Sequence, residues 1–212
     1  GYFLLSRLTK RGRVTDAKEC GMHEQTICAA LFAGGASRRM GTDKALLPWR
    51  GSTLVRYLAG ELDFFSEKLL SAQQVSLLPG ADWRLVPDLR PGCGPLGALE
   101  SVLTAMRSDA ALCVACDLPF FTRELGQAML RAFREGADCL ICRDETGRVH
   151  PVCAIYHRRA LPVVTGQLQA GDFRMMHLLA NLKTDYFPVT AAQMQNANTP
   201  EIWSEIQKNE HA

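Results

Sequence analysis

The stretch Leu31-Phe-Ala-Gly-Gly-Ala-Ser-Arg-Arg-Met-Gly-Thr-Asp-Lys44 decides how this chain is read. An apolar, strand-like run over residues 26–32 stops at two glycines, and a short loop with Arg38 and Arg39 leads through Gly41 to Lys44. Glycine lets a backbone take positive φ and lets a ligand approach its N–H groups closely. Successive N–H groups in such a turn make an anion-binding concavity, and guanidinium groups fork onto phosphate oxygens. The stretch therefore reads as a phosphate-binding loop at the carboxyl end of a first strand. It lacks the Gly-Lys-Ser/Thr ending of a P-loop and the G-x-G-x-x-G of a dinucleotide fold. A plain glycine turn with solvated arginines is the alternative.

Outward from that loop the pattern alternates strand and helix. Helical spacing of Leu54, Tyr57, Leu58 and Leu62 predicts a helix over 53–65, with Ser52 or Thr53 as cap. Short strands follow at 68–72 and 83–87, the second ending at Asp88. Arg90-Pro-Gly-Cys-Gly-Pro95 is a turn leading into a helix over 96–106. Residues 111–116 are small and apolar without alternation, as expected of a central parallel strand covered on both faces, and end at Asp117-Leu-Pro119. Thr122 is placed to cap a helix to about residue 134, and Gly136 to stop it. Strands at 138–142 and 149–156, the latter interrupted by Pro151, helices at 158–169 and 172–181, a short strand at 186–189 and a last helix opened by Thr199-Pro200-Glu201 complete the pattern.

This alternation predicts an α/β fold: three α/β/α layers, Rossmann-like, around a mostly parallel central sheet. Ligands in such folds bind outside the carboxyl ends of the strands. Three loops start there, at 34–44, 88–97 and 117–119, and their convergence is the bottom-up argument for a site. At 212 residues, 47% hydrophobic and 22% charged, the chain reads as one domain over 22–212, with 1–21 as a poorly ordered leader and Met22 offering a natural start. Within it, about 22–120 form the phosphate-binding half. A net charge of +2 is too small to point to nucleic acid or a membrane surface, and no apolar run approaches a membrane span.

Eight cysteines include two C-x-x-C pairs, Cys113/Cys116 and Cys139/Cys142. Both pairs lie in strand-like runs, where residues i and i+3 point to opposite faces and cannot converge on one zinc ion. They read as small buried hydrophobes, suited to a reducing cytoplasm.

The carboxylates sharpen the site. Asp117 follows a strand with almost no polar atoms, where it either helps hold Mg²⁺ with phosphate oxygens or caps the following helix. Asp88 either bonds a ribose or base edge or forms a turn. Gly94-Pro-Leu-Gly97 either reads a base with its backbone or makes a tight loop–helix junction. His150, in a strand beside Pro151, reads as structural ahead of acid/base work.

At this point the chain resembles the molybdenum cofactor guanylyltransferases, the MobA family. Residues 32–44 resemble their opening motif, Gly94-Pro-Leu-Gly97 their second, and Val114-Ala-Cys-Asp-Leu-Pro119 their metal-binding strand end. His150-Pro-Val-Cys-Ala154, Gly171-Asp-Phe-Arg-Met-Met176 and Asn196-Ala-Asn-Thr-Pro-Glu201 resemble the carboxyl-half motifs in order. The resemblance implies a nucleotidyltransferase fold, with an acceptor-binding half over about 121–212. It implies transfer of GMP from GTP to the terminal phosphate of the molybdenum-pterin cofactor, with Mg²⁺ as cofactor and release of pyrophosphate. By position, Ala33, Gly34 and Gly35 would wrap the nucleotide, with Gly94, Pro95 and Leu96 of the second motif beside it. Arg39 and Lys44 would hold the triphosphate, Asp117 would ligate Mg²⁺ and Asp88 would contact the nucleoside. Arg174, Asn196 and Asn198 would belong to the pterin side. Gln73, in Ser71-Ala-Gln-Gln74, stands where the family usually has asparagine, and Phe173 stands where a basic residue is frequent. Partners would be GTP, the pterin, and molybdoenzymes or other cofactor-biosynthesis proteins in the cytoplasm. A cytidylyltransferase for the same pterin, a nucleotidyltransferase for another phosphorylated acceptor, and a nucleotide-binding carrier without catalysis are the rival readings.

Overall fold

The computed structural model describes residues 25–34 and 43–211. In chain order the elements are β1 (Ile27–Phe32), β2 (Pro48–Trp49), β3 (Ser52–Thr53), α1 (Leu54–Glu61), β4 (Lys68–Ser71), β5 (Arg84–Val86), α2 (Gly94–Ala105) and β6 (Ala110–Ala115). They continue as α3 (Arg123–Ala132), β7 (Cys139–Arg143), β8 (Val149–His157), α4 (Leu161–Gln169), α5 (Met175–Ala180), β9 (Thr184–Pro188) and α6 (Pro200–Glu210). Seven strands form one sheet in the order β5-β4-β1-β6-β8-β7-β9, and β2 and β3 form a separate hairpin. Within the seven-stranded sheet β8 runs antiparallel to both neighbours and the other pairings are parallel.

Strand alternation divides the core in two. Ala29, Leu31, Leu112, Val114 and Ile155 face one side, where they pack with Leu54 and Leu58 of α1, Met129 of α3 and Trp203 of α6. Ala30, Phe32, Ala111, Cys113 and Tyr156 face the other, against Leu96 and Leu99 of α2, Val164 of α4 and Leu178 of α5. Burial on both faces explains why β1 and β6 read as unbroken apolar runs. β6 is covered on both faces as expected, but it is parallel only to β1 and antiparallel to β8. The cysteines of each C-x-x-C pair belong to different sides: Cys116 and Cys142 to the first, Cys113 and Cys139 to the second.

Several boundaries differ from the sequence reading. Residues 158–160 form a 3-10 turn before α4, pulled inward as Arg158 Nη2 donates to the Met106 and Ser108 carbonyls at 3.0 and 2.7 Å. α5 starts at Met175 because the Asp172 side chain accepts from Arg174 N at 3.1 Å, closing a turn where helix was expected. β8 carries an irregularity opposite Ile141/Cys142: Ala154 pairs with Ile141, and the next partner, of Cys142, is His150. Pro151 lies in the skipped stretch, where its missing N–H costs no ladder bond, and Tyr156 Oη donates to the Pro151 carbonyl at 2.6 Å. Among the described residues, no helix is long and apolar enough to cross a membrane.

Candidate active site

The carboxyl ends of β5, β4, β1 and β6 meet along one rim, and a cleft of about 610 Å³ follows it. Asp88 stands after β5, Ser71 and Gln73 at the end of β4, Ala33 and Gly34 after β1, and Asp117 after β6; all line the cleft. At about 4.8 Å per strand, the three steps from β5 to β6 span about 14 Å, which suits an extended nucleotide.

Charge is concentrated at the β6 end. Asp43 Oδ1 accepts from Ala45 N at 3.0 Å and caps a 3-10 turn, Lys44–Leu46, which fixes the start of the Lys44 side chain. Lys44 Nζ lies 3.6 Å from Asp117 Oδ2 and donates to Asn198 Oδ1 at 3.3 Å. Asp117 is also gripped through its backbone, whose carbonyl accepts from Ala197 N at 2.9 Å. Helix α3 takes its cap from Thr122, whose hydroxyl accepts from Leu125 N at 3.2 Å. The capping alternative for Asp117 therefore falls away, and its carboxylate faces the cleft. Asp43 and Asp117 both line this end of the cleft, and both carboxylates push the buried Cys116 thiol up, after burial itself. One or two carboxylates plus phosphate oxygens is the usual protein share of a Mg²⁺ shell, and this donor set fits it.

The β5 end is apolar, with a few polar groups. Asp88 is half-buried and makes no hydrogen bond or ion pair within the described residues; burial pushes its carboxyl up from the ordinary range. The loop after it is held to α2. Leu89 N donates to Ser101 Oγ and Ser101 Oγ to the Gly97 carbonyl, each at 2.9 Å. Arg90 Nε donates to Glu100 Oε2 at 2.9 Å, and Thr165 Oγ1 of α4 donates to Glu100 Oε1 at 3.0 Å. Gly94 has a φ of +63°, which favours glycine. At Gly97 a Cβ would sit 2.8 Å from Cys93 Cβ and 3.3 Å from the Arg90 carbonyl, so glycine is needed for the loop to lie against the helix. Gly94 and Pro95 line the cleft, while the Leu96 side chain turns away and is fully buried in the α2 core.

Not every expected residue is gathered here. Gly35 and Arg39 lie outside the described residues, as do residues 1–21. Asn198 is bonded to Lys44, which lines the charged end of the cleft, but neither Asn198 nor Asn196 is itself in the wall. Arg174 is largely exposed and paired with Asp172, at 2.9 Å. Asp172 and His177, bonded at 2.7 Å, border a groove between α4 and α5 that shares no lining residue with the cleft. His150 is buried and bonded to Asp144 Oδ2 at 2.8 Å, and Asp144 Oδ1 accepts from Thr146 N at 2.9 Å and Arg148 N at 3.2 Å; the histidine holds a turn. Conversely, Ser71, Ala98, Cys116 and Val152 line the cleft without having been singled out. A polar Ser71 directly after Leu69 and Leu70 was the one sequence signal among them.

Residues 29–186 match the model of the MobA-like NTP transferase domain. A protein of Deinococcus radiodurans named "Probable molybdenum cofactor guanylyltransferase" is 35% identical over 182 residues, covering 85% of this chain and 93% of the relative. The "Molybdenum cofactor guanylyltransferase" of Vibrio atlanticus is 31% identical over 189 residues, covering 84% and 93%. Molybdopterin-guanine dinucleotide biosynthesis protein A from Archaeoglobus fulgidus superposes with a TM-score of 0.74 at 20% identity, covering 87% of this chain and 98% of that one.

Proposed function

The chain belongs to the MobA-like NTP transferase domain family, and within it we propose that this nucleotidyltransferase moves GMP from GTP to the terminal phosphate of the molybdenum-pterin cofactor, releasing pyrophosphate. The observation that carries the reading is the Lys44–Asp117–Asn198 cluster at one end of a rim long enough for a nucleoside triphosphate. Its guanine and pterin specificity rests on the names of relatives that align over most of both chains.

In this reading the base lies at the β5/β4 end, near Asp88, Gln73 and the Gly94-Pro95 turn. The triphosphate runs past Ala33 and Gly34 towards Lys44. An oxygen of the acceptor phosphate attacks the α-phosphorus; the new P–O bond forms as the bond from the α-phosphorus to the α–β bridging oxygen breaks, and pyrophosphate leaves with that electron pair. A phosphate monoester is ionised near neutral pH, so the reaction needs no general base. Lys44 neutralises charge that grows on the leaving group, and positioning supplies much of the remaining acceleration. Asp117, with Asp43 close by, would hold Mg²⁺, whose contribution is to withdraw charge from phosphate oxygens. Asn198 orients the Lys44 ammonium, so the segment just before α6 belongs to the working site as well as to the carboxyl half.

The test is pyrophosphate release from GTP and CTP in parallel, each with and without the pterin, using the unaltered chain and Asp117→Asn. Release with GTP that requires the pterin, and falls by at least about 100-fold in the variant while folding is kept, is expected. Release with CTP alone would replace the guanine assignment, and unchanged turnover in Asp117→Asn would remove this carboxylate from the mechanism.

A further inference from the structure

Among the described residues Arg50 alone, glycines aside, has positive φ, at +46°. With Gly51 at +78° it makes the two-residue turn between β2 and β3. Two positive φ angles in such a turn suit Asn-Gly or Gly-Gly, and a long side chain at the first position costs free energy. A residue kept in that conformation calls for something its side chain does. Arg50 Nε donates to Glu210 Oε1, in the last turn of α6, and Arg50 Nη1 donates to Tyr57 Oη of α1 at 2.5 Å. The guanidinium also covers the Trp49 and Tyr57 rings, 4.9 and 5.3 Å from their centroids.

Glu210 belongs to a stripe on α6. Trp203, Gln207 and Glu210 follow at i, i+4 and i+7, so they share one face. Trp203 packs on Trp49 with ring centroids 5.2 Å apart, and Gln207 Nε2 donates to the Pro48 carbonyl at 3.5 Å. α6 is thus fastened along its length to the β2–β3 hairpin. Both fastened elements adjoin the charged end of the cleft: Lys44 comes four residues before Pro48, and Asn198 two before Pro200. Lys44 Nζ donates to Asn198 Oδ1 at 3.3 Å, and the neighbouring Ala197 N donates to the Asp117 carbonyl at 2.9 Å.

We propose that Arg50 is a positioning residue of the transfer site: by clamping α6 to the hairpin it holds Asn198 where its side chain directs the Lys44 ammonium. The clamp acts from the far end of α6, about 15 Å of helix away from Asn198. Released there, α6 can rock about the Trp49–Trp203 contact, and the segment before it rocks too. Lys44 neutralises charge that grows on the leaving pyrophosphate, so a misdirected ammonium slows the chemical step and leaves nucleotide binding in the ground state intact.

The inference rests on the nucleotide-transfer reading, and two readouts keep their failures apart. Arg50→Asn keeps the turn, which Asn-Gly suits, and removes the clamp. Native-state hydrogen exchange of the Ala197 amide should quicken by about 3- to 10-fold in this variant, from loss of a partly exposed ion pair and its ring contacts, while amides of β1 and β6 keep their rates. Glu210→Ala, which leaves the turn untouched, should act in the same direction. For pyrophosphate release with GTP, Mg²⁺ and the pterin, kcat should fall by about the same factor with KM for GTP unchanged. In an Asn198→Ala background Arg50→Asn should not lower kcat further, because the clamp works through Asn198. Unchanged exchange at Ala197 in both variants overturns the clamp, whether or not the chain transfers GMP. Faster exchange with unchanged kcat, a rise in KM alone, or equal losses of kcat in both backgrounds overturns the positioning role. If the unaltered chain releases no pyrophosphate, the transfer reading fails by itself, and the exchange result still decides the clamp.

Discussion

Gly97→Ala probes how the second glycine loop is built. In the structure the added Cβ meets Cys93 Cβ at 2.8 Å and the Arg90 carbonyl at 3.3 Å. Carbon atoms rest at about 3.5–4.0 Å, so the first contact is short by roughly 1 Å. Neither neighbour is the loose end of a side chain; both are fixed by the backbone of the loop. Forcing such a contact costs about 1–3 kcal/mol. Gly97 is in α2, where alanine is better than glycine by about 1 kcal/mol, so the net loss expected is about 0–2 kcal/mol. The informative comparison places Gly97→Ala in a Cys93→Gly background, which removes the short contact and keeps the helix gain. There the same substitution should stabilise by up to about 1 kcal/mol, giving a coupling of about 1–3 kcal/mol between the two sites. Urea unfolding of the four proteins measures it, with midpoints compared at constant slope. Nucleotide affinity should track stability, because Gly94 and Pro95 ride on the displaced turn. Equal effects of Gly97→Ala in both backgrounds, or stabilisation with Cys93 present, would refute the close-packing argument.

Two further perturbations test the supports of the site. Arg90→Ala leaves the Glu100 side chain, 6% exposed, with only Thr165 as partner; since Arg90 itself is 38% exposed, a loss of about 2–3 kcal/mol is expected by urea unfolding. Replacing both residues, Arg90→Met with Glu100→Leu, should cost less than Arg90→Ala alone, and a larger loss would show that the pair contributes more than mutual compensation. Asp144 is held down to about 2, chiefly by the Thr146 hydroxyl and then by His150. Its folded pKa lies below the unfolded value of about 3.9, so its stabilisation is complete above that value and is lost as pH falls towards 2. Urea midpoints between pH 5 and 2.5 should fall less steeply for Asp144→Asn, and parallel curves would rule this carboxylate out as an acid-sensitive support.

The sheet and its layers were legible because burial leaves direct marks: unbroken apolar runs for β1 and β6, and helical spacing for α1. Thr122 and Thr199 were legible as caps because their chemistry is local, each accepting from the N–H three residues on. Less legible were contacts between distant parts of the chain. Nothing near Asp117 announces Lys44, and nothing near Lys44 announces Asn198, 154 residues away. Val152 enters the cleft wall beside a strand irregularity that single-strand patterns do not encode. Arg174 is the opposite case: its motif was readable, but the Asp172 ion pair that engages its side chain depends on the turn before α5. Ser71 is intermediate, since a polar residue after two leucines was visible while its hydroxyl's lack of a hydrogen-bond partner was not.

Because β8 runs against its neighbours, it brings its beginning, not its end, to the rim where the other strands finish. Cys153 pairs with Val114, and Val152 one residue earlier borders the cleft. The strand thus acts as an adjustable stop. Its register against β6 is set from Cys153 onward, while the irregularity around Pro151 already absorbs extra residues on the β7 side. Residues added or removed before Cys153 lengthen or shorten this stop by about 3.3 Å apiece and leave the β1–β6 pairing untouched. The depth of this part of the cleft can therefore be retuned in evolution or by design at one short segment, with the β1–β6 rim held constant.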